Sequence, residues 1–512
     1  MTTDKLTRRT VLKGTAAAGV VSLAGCAENT SGSDSGSVTI ALQTDPTAET
    51  WTSHGGITPY WTNVMEPLIW VDQEMALQPW LATDWERTSD TTWEFTLREG
   101  VSFHNGDEMT AEHVVYSFET LLDELAYAPG WLRLEGPDSI VALDDYTVEF
   151  TTPEPFSVFP GNIAHNMVCV QHPDRNVDEY EAIGTGPFQV DTVEPQQEVV
   201  TAPFEDYWGD GGQVDELVFE VIEDPNTRSL SLENGEIDIG MAPPRSQISS
   251  LESGDGTTVA RQETAGSCYG GLNLYAAPTD DPVLRRALNH AVDQELIVET
   301  ILANVGSAAR VPISPTIYWS AHDDVDPYAY DEDQASSLVE ESDYDGEMLT
   351  IVVPNDLVNG RDIAQVLLDN FTSVGISAEI QMAERAQYSE LVRDGEGHLF
   401  LDTSGSNSGA ADYVIYDSFH SDGDVNQRLY RNEDTGVQNP GGEVDTLIEE
   451  GMEATESSVK EEKYGEAQRI MKDQAVTVPV YYDEFVAAYQ SDLEGVSFSP
   501  IPEFTSWTSL EK

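Results

Sequence analysis

Apolar and polar positions alternate through Trp93-Glu94-Phe95-Thr96-Leu97, the period-2 pattern of a half-buried strand. From Thr110 onward the period changes. Val114, Phe118, Leu121, Leu122 and Leu125 recur at helical spacing, which predicts one buried helix face with Thr110 as its N-cap. Short β-type runs are predicted over 38–42, 218–222 and 349–353. A helix over 361–374 stops at Gly375, where the absence of a Cβ permits a left-handed turn. Asp281-Pro282 supplies an N-cap and first-turn pair for the helix carrying Leu284, Ala287, Leu288 and Ala291. Two further helices, over 443–454 and 459–476, precede the strand-like Val478-Pro479-Val480-Tyr481-Tyr482. Strands and helices interleave with no repeat of the length that solenoids show, so the pattern predicts mixed α/β lobes.

The first residues follow a different logic. Thr7-Arg8-Arg9-Thr10-Val11-Leu12-Lys13 is basic, the stretch 14–25 is small and apolar, and Leu23-Ala24-Gly25-Cys26 ends it. That apolar run is too short to span a bilayer and reads as the core of an export signal. The Arg8-Arg9 pair is similar to a twin-arginine signal, and Leu-Ala-Gly-Cys resembles a lipobox that would leave Cys26 as a lipid-bearing N-terminus. Residues 1–25 are therefore expected to be a signal peptide, and 26–37, rich in Gly, Ser and Asp, a flexible tether. The body is expected outside the cytoplasm, anchored to the outer face of the membrane through lipid only. Cys169 and Cys268 have no spacing signature, and their pairing is left open.

Charge narrows the function. The chain of 512 residues carries 93 acidic against 24 Lys and Arg residues, a net charge of -69. Nucleic acid is excluded as a partner, because no basic face exists to neutralise phosphates. With 39% apolar and 9% aromatic residues the chain nonetheless has material for a core and is not an acidic disordered tail. Loss of 1–25 would remove four basic groups and one acid, leaving 20 basic against 92 acidic residues. Such self-repulsion is tolerable where salt shortens the Debye length to about 3 Å, and this points to a salt-loving source.

Several blocks follow in order along the body: Met65-Glu66-Pro67-Leu68-Ile69, then Gln78-Pro79-Trp80-Leu81-Ala82-Thr83-Asp84-Trp85-Glu86, then Trp93 through His104-Asn105-Gly106, then Met109-Thr110-Ala111-Glu112-His113-Val114. They continue with Gly184-Thr185-Gly186-Pro187-Phe188, Tyr207-Trp208-Gly209, the run 232–238 and the run 281–288. This succession closely resembles the family 5 extracellular solute-binding proteins of ABC importers, the peptide and nickel binding group, over about 38–498. The resemblance implies an α/β, two-lobed periplasmic-binding-protein-like fold of type II, in the large peptide-binding subclass, with an extra subdomain in lobe I. Lobe I would comprise 38–76, 180–266 and 481–512, its subdomain 77–179, and lobe II 267–480. Chain crossings near 268–274 and 478–482 would form the hinge. His104 reads as a packing or capping residue rather than a catalyst.

In peptide-binding relatives a cleft carboxylate meets the ligand's ammonium, and strands pair with its backbone. The corresponding segment here is the run 401–413, which makes Asp412 the candidate ammonium partner. It lacks the Trp usual in the family, with Thr403 or Ser404 near that place, and no Pro follows Asp412. Further candidates for the ligand site are Ser53 and His54 in Trp51-Thr52-Ser53-His54-Gly55-Gly56, Tyr269 and Asn273 on the crossing strand, Ser404, and Trp131 on the subdomain side. Tyr269, Trp131 and His54 have plain alternatives as core or loop residues, and any one Asp in so acidic a chain has the alternative of a solvated surface position. His420 reads as packing.

The nine His show no metal-ligand spacing, and no metal or cofactor is expected. An exported hydrolase is the competing class, but GxSxG, HExxH, Walker A and CxxC are all absent, and Gly405-Ser406-Asn407-Ser408-Gly409 has Asn at its centre. The expected function is capture of di- or oligopeptides by lobe closure and delivery to a membrane permease with its ATPase subunits, by a monomer. Nickel chelate, oligosaccharide and osmolyte ligands are alternatives within the same class. The charge reading has a direct check: the melting temperature of the purified body should rise steadily from low to molar KCl. A flat or falling response contradicts it.

Overall fold

A computed structural model describes residues 36–47, 61–125, 128–165, 167–176, 180–408, 411–421, 423 and 441–512. The signal, Cys26, most of the tether, Ser53 and His54 lie outside the described residues, as does the side chain of Trp131. Among the described residues eleven strands join in one mixed sheet. Its centre is a pair of long antiparallel strands, Thr257–Leu272 and Thr477–Gln490.

Each end of that pair belongs to a different half of the sheet. Residues 487–489 pair with Ile239–Met241, which leads through Ser37–Leu42, Glu216–Val221 and Glu198–Pro203 to Phe188–Glu194. At the other end 266–272 pair with Leu399–Gly405, which leads through Leu349–Pro354 to Ala378–Ala383. In both halves the inner neighbours are parallel, as expected of strands covered by crossover helices. Their apolar runs, such as Leu349-Thr350-Ile351-Val352-Val353, are accordingly buried almost throughout.

The two long strands lose register between Glu263 and Ser267, midway along. The Thr264 carbonyl, freed from the ladder, accepts from Ser314 Oγ at 2.8 Å and from Thr316 Oγ1 at 2.9 Å. That satisfies a buried acceptor that would otherwise cost free energy. Ser307–Ala308 adds a short strand beside Tyr481 and Tyr482, entered through Gly306. A Cβ at Gly306 would lie 2.5 Å from the Tyr482 carbonyl oxygen, so only glycine permits this approach.

A separate four-stranded antiparallel sheet, in the order Ala82–Arg87, Thr92–Leu97, Thr147–Thr151, Ile140–Asp144, carries the predicted alternation. The helix Ala111–Glu124 covers it with Val114, Phe118 and Leu121 buried, and the Thr110 backbone N–H donates to His113 Nδ1 at its start. Phe118 and Phe159 meet Phe150 at ring distances of 4.8 and 5.3 Å. Each such buried ring contributes about 1.5–3 kcal/mol. The helices Pro282–Ala291, capped by the Asp281 side chain, and Gly360–Ser373, ended at Gly375 with φ +92°, match the pattern read from the chain.

Cys169 and Cys268 are both free and buried, so they form no disulfide with each other. Burial pushes the Cys169 thiol up to about 11. Among the described residues no helix is long and apolar enough to cross a membrane.

Candidate functional site

The strand Leu399–Gly405 leaves the sheet through a turn in which the Ser408 backbone N–H donates to Ser406 Oγ, and the helix Ala411–Phe419 follows. Asp412 sits in its first turn, where the partial positive charge of the helix end favours a carboxylate. The residue is only 2% exposed, and its Oδ1 accepts no hydrogen bond. Burial pushes the carboxyl up to about 7, against the opposing pull of Lys460.

Asp412 lines a cavity of about 20 Å³ together with Tyr416, Asp417 and Met452; the facing wall is Gly130, Arg133, Phe156 and Asn162. The two walls touch directly. Ser157 donates from its backbone N to the Met452 carbonyl at 3.1 Å and from Oγ to the Ala454 carbonyl at 2.8 Å. Arg133 stands at φ +56°, an uncommon conformation for a side chain-bearing residue, with its guanidinium 4.3 Å from the Tyr416 ring centre. It forms no ion pair or hydrogen bond among the described residues, in a chain with a large excess of carboxylates. The cavity therefore presents one buried carboxylate oxygen and one half-buried guanidinium with no hydrogen-bond or ion-pair partner among the described residues.

The helix bearing Asp412 is seated on the central strands. Ser418 lies 3.5 Å from Ser404, and the Tyr269 hydroxyl faces both serines. The Tyr269 ring packs on Phe419 at 5.9 Å. Tyr269, which is buried, and Ser404, which is half-buried, thus meet Asp412's helix from behind. Asn273 is elsewhere: its Nδ2 donates to the Gly395 and Gly397 carbonyls at 3.1 and 3.0 Å, and its Oδ1 accepts from the Tyr275 N–H. Its amide braces a loop. Trp131 belongs to the short helix Ala128–Leu132, whose Gly130 lines the cavity. His420 stacks on Tyr416 at 4.5 Å, the packing role expected of it.

A second cavity, of about 310 Å³, lies against Glu66. Trp80 Nε1 and Tyr207 OH donate to Glu66 Oε1 at 2.7 and 2.8 Å, while Thr185 Oγ1 and Trp208 Nε1 donate to Oε2 at 2.8 and 3.0 Å. Donors from three separate sequence blocks therefore converge on the carboxyl group of a fourth. His104 joins a similar junction, 3.0 Å from the Gly186 carbonyl, and burial lowers its pKa to about 4. Among the described residues no group of His, Cys, Asp and Glu is arranged to hold a metal.

Residues 76–426 match the model of the bacterial extracellular solute-binding proteins, family 5. The chain belongs to this family. Its members are extracytoplasmic solute-binding components of ABC importers rather than enzymes. Heme-binding protein A of Haemophilus influenzae is 25% identical, over 83% of this chain and 82% of its own length. The glutathione-binding protein GsiB of Escherichia coli is 24% identical, over 86% and 87%. Among solved structures, a nickel ABC transporter protein from Bacillus halodurans superposes with a TM-score of 0.79 at 25% identity, covering 93% of this chain and all of its own. DppA from Helicobacter pylori, in complex with the peptide STSA, gives 0.72 at 21% identity over 93% and 98%. The two-lobed type II binding-protein fold expected from the sequence is the fold of this family.

Glu66 carries a pH prediction. Burial pushes its carboxyl up to about 7 despite its four donors, whereas the unfolded chain titrates near 4.5. Between those values the folded form holds a proton that the unfolded form has lost. The contribution is complete below pH 4.5 and declines as pH rises to 7, by at most about 3 kcal/mol. Denaturant unfolding at pH 5 and 7.5 in constant molar salt should therefore show the wild type losing stability relative to Glu66→Gln. Parallel pH profiles contradict the assignment.

Proposed function

We propose that the chain is a lipid-anchored receptor that captures di- or oligopeptides between two lobes and delivers them to a permease driven by ATPase subunits. The observation that carries the peptide reading is Asp412, a buried carboxylate with an unmatched oxygen at the contact of two walls. A free peptide N-terminus is an ammonium able to supply the missing donor, and charge-assisted hydrogen bonds are the strong ones. Arg133, stacked but unpaired in the same cavity, offers a carbonyl or carboxylate of the ligand a matching donor. The likeness to the peptide complex of DppA is consistent with this choice.

Closure follows from the same geometry. A ligand that touches both walls stabilises their contact by its differential affinity, and the crossings near 268–274 and 478–482, next to the register break at 263–267, are the proposed hinge. Lobe I is assigned 38–76, 180–266 and 481–512, its subdomain 77–179, and lobe II 267–480. Cys26 is the proposed lipid site and Arg8-Arg9 the proposed export signal, in keeping with a solute-binding protein that works outside the cytoplasm.

Protein stripped of ligand by unfolding and refolding, then offered a synthetic pool of di- to tetrapeptides in molar salt, tests the reading by mass spectrometry of what is retained. Wild type should retain peptides with free N-termini and reject their N-acetylated counterparts. Asp412→Asn should weaken retention at least tenfold, the loss expected of a charged hydrogen bond. Retention should strengthen from pH 6 to 7.5 as Asp412 ionises, and fade above 8 as the peptide amine loses its proton. A change of less than twofold on Asp412→Asn removes the assigned role.

A further inference from the structure

The cavity of about 310 Å³ beside Glu66 shares no lining residue with the Asp412 cavity, and its size is within the range of roughly 300–1,000 Å³ that small-molecule sites occupy. Four half-buried rings line it: Trp70, Trp80, Tyr207 and Trp208. Their planes change direction from ring to ring. Trp70 and Trp80 stand 5.0 Å apart at 33°, Trp80 and Trp208 5.1 Å apart at 78°, and Tyr207 and Trp208 5.3 Å apart at 49°. Rings set at such different angles cannot merge into one flat stack, so they give the wall several separate π surfaces.

The polar hydrogens of the wall are mostly spent inside the protein. Trp80, Tyr207 and Trp208 give theirs to Glu66, whose carboxyl group is thereby saturated together with Thr185. The Asn63 amide donates to the Thr505 carbonyl at 2.9 Å and accepts from the Trp507 N–H at 2.8 Å. The Ser506 and Thr508 hydroxyls lie 3.0 Å apart, one donating to the other. An anion or a sugar would need donors that are already committed. What the wall still offers is ring surface and, at an exposed position, the Asp210 carboxylate; among the described residues no Lys or Arg lines it. The same ring cluster already holds one cation. The Arg98 guanidinium lies 4.1 Å from the Trp208 ring centre, anchored by an Nε hydrogen bond to the Trp80 carbonyl at 3.0 Å. The electron-rich face of an indole attracts positive charge, more strongly than that of any other side chain.

We propose that this cavity is a second ligand site, which takes a small organic cation whose nitrogen is capped by methyl groups. Such a cation brings the charge that π faces and a carboxylate attract, and it demands no hydrogen-bond partner from a wall that has few to give. A bare ammonium would have to leave its hydrogens unmatched there. Bound ligand would touch three distant stretches of chain, around Trp70 and Trp80, Tyr207 to Asp210, and Ser506 to Thr508, and would stabilise their junction by mass action. The proposal stands independently of the Asp412 reading.

Calorimetric titration of the purified body with choline chloride tests it, at constant molar total salt so that the general attraction of an acidic chain for cations is screened. Wild type should bind choline saturably at one site. The uncharged isostere, with a tert-butyl group in place of trimethylammonium, should bind at least tenfold more weakly. Trp70→Leu should weaken choline binding at least fivefold. Asp210→Arg should do the same by setting a competing cation beside the rings, at an exposed position where folding is not at risk. Absence of saturable binding, equal binding of the neutral isostere, or wild-type affinity in the folded variants overturns the proposal. Loss of choline binding in Asp412→Asn with Trp70→Leu unaffected places the cation in the other cavity and overturns it as well.

Discussion

A carboxylate withdrawn from water is costly unless its charge is met and its oxygens are hydrogen-bonded, and this fold meets that constraint in two opposite ways. Glu66 is given four donors, one from each of Trp80, Thr185, Tyr207 and Trp208, and becomes a rivet between distant segments. Asp412 is buried with one oxygen left open. The first arrangement has no capacity left for a ligand. The second is incomplete by construction, and the proposed binding function depends on that incompleteness.

The framework explains how the incomplete site is held. The helix Ala411–Phe419 is pinned by Ser418 against Ser404 and Tyr269, which stand on adjacent strands of the central sheet. Those strands include Thr257–Leu272, half of the long pair whose other end enters the opposite part of the sheet. In the proposed closure, rotation at the hinge would carry the Asp412 helix together with Ser404 and Tyr269, which support it. Ser157 meets Met452 and Ala454 through hydrogen bonds to their backbone carbonyls.

Much of this was legible in the chain before any coordinates. Alternation at Trp93–Leu97, the helical stripe from Val114, the Asp281-Pro282 cap and the stop at Gly375 are local signals, and each matches the observed element. The long strands Thr257–Leu272 and Thr477–Gln490 were seen only in part, because their polar stretches, such as Arg261-Gln262-Glu263, alternate weakly and their pairing is non-local. Asp412 was found through the order of family blocks rather than through any property of its own. Arg133 was missed for a related reason: its meaning lies in what it fails to contact, and neither contact nor its absence is written in local spacing. Asn273 shows the converse, an amide in a suggestive place whose capacity is consumed by the Gly395 and Gly397 carbonyls.

The acidity has a separate role from the site. Its excess is spread over a surface, whereas the chemistry proposed for binding uses one buried carboxylate and one arginine without an ion pair among the described residues. The most direct measurement is a crystal structure of the body with the ligand it retains from its own cells. The account predicts a ligand ammonium within hydrogen-bond distance of Asp412 Oδ1. A ligand bound between the lobes with no donor at Asp412 contradicts the account.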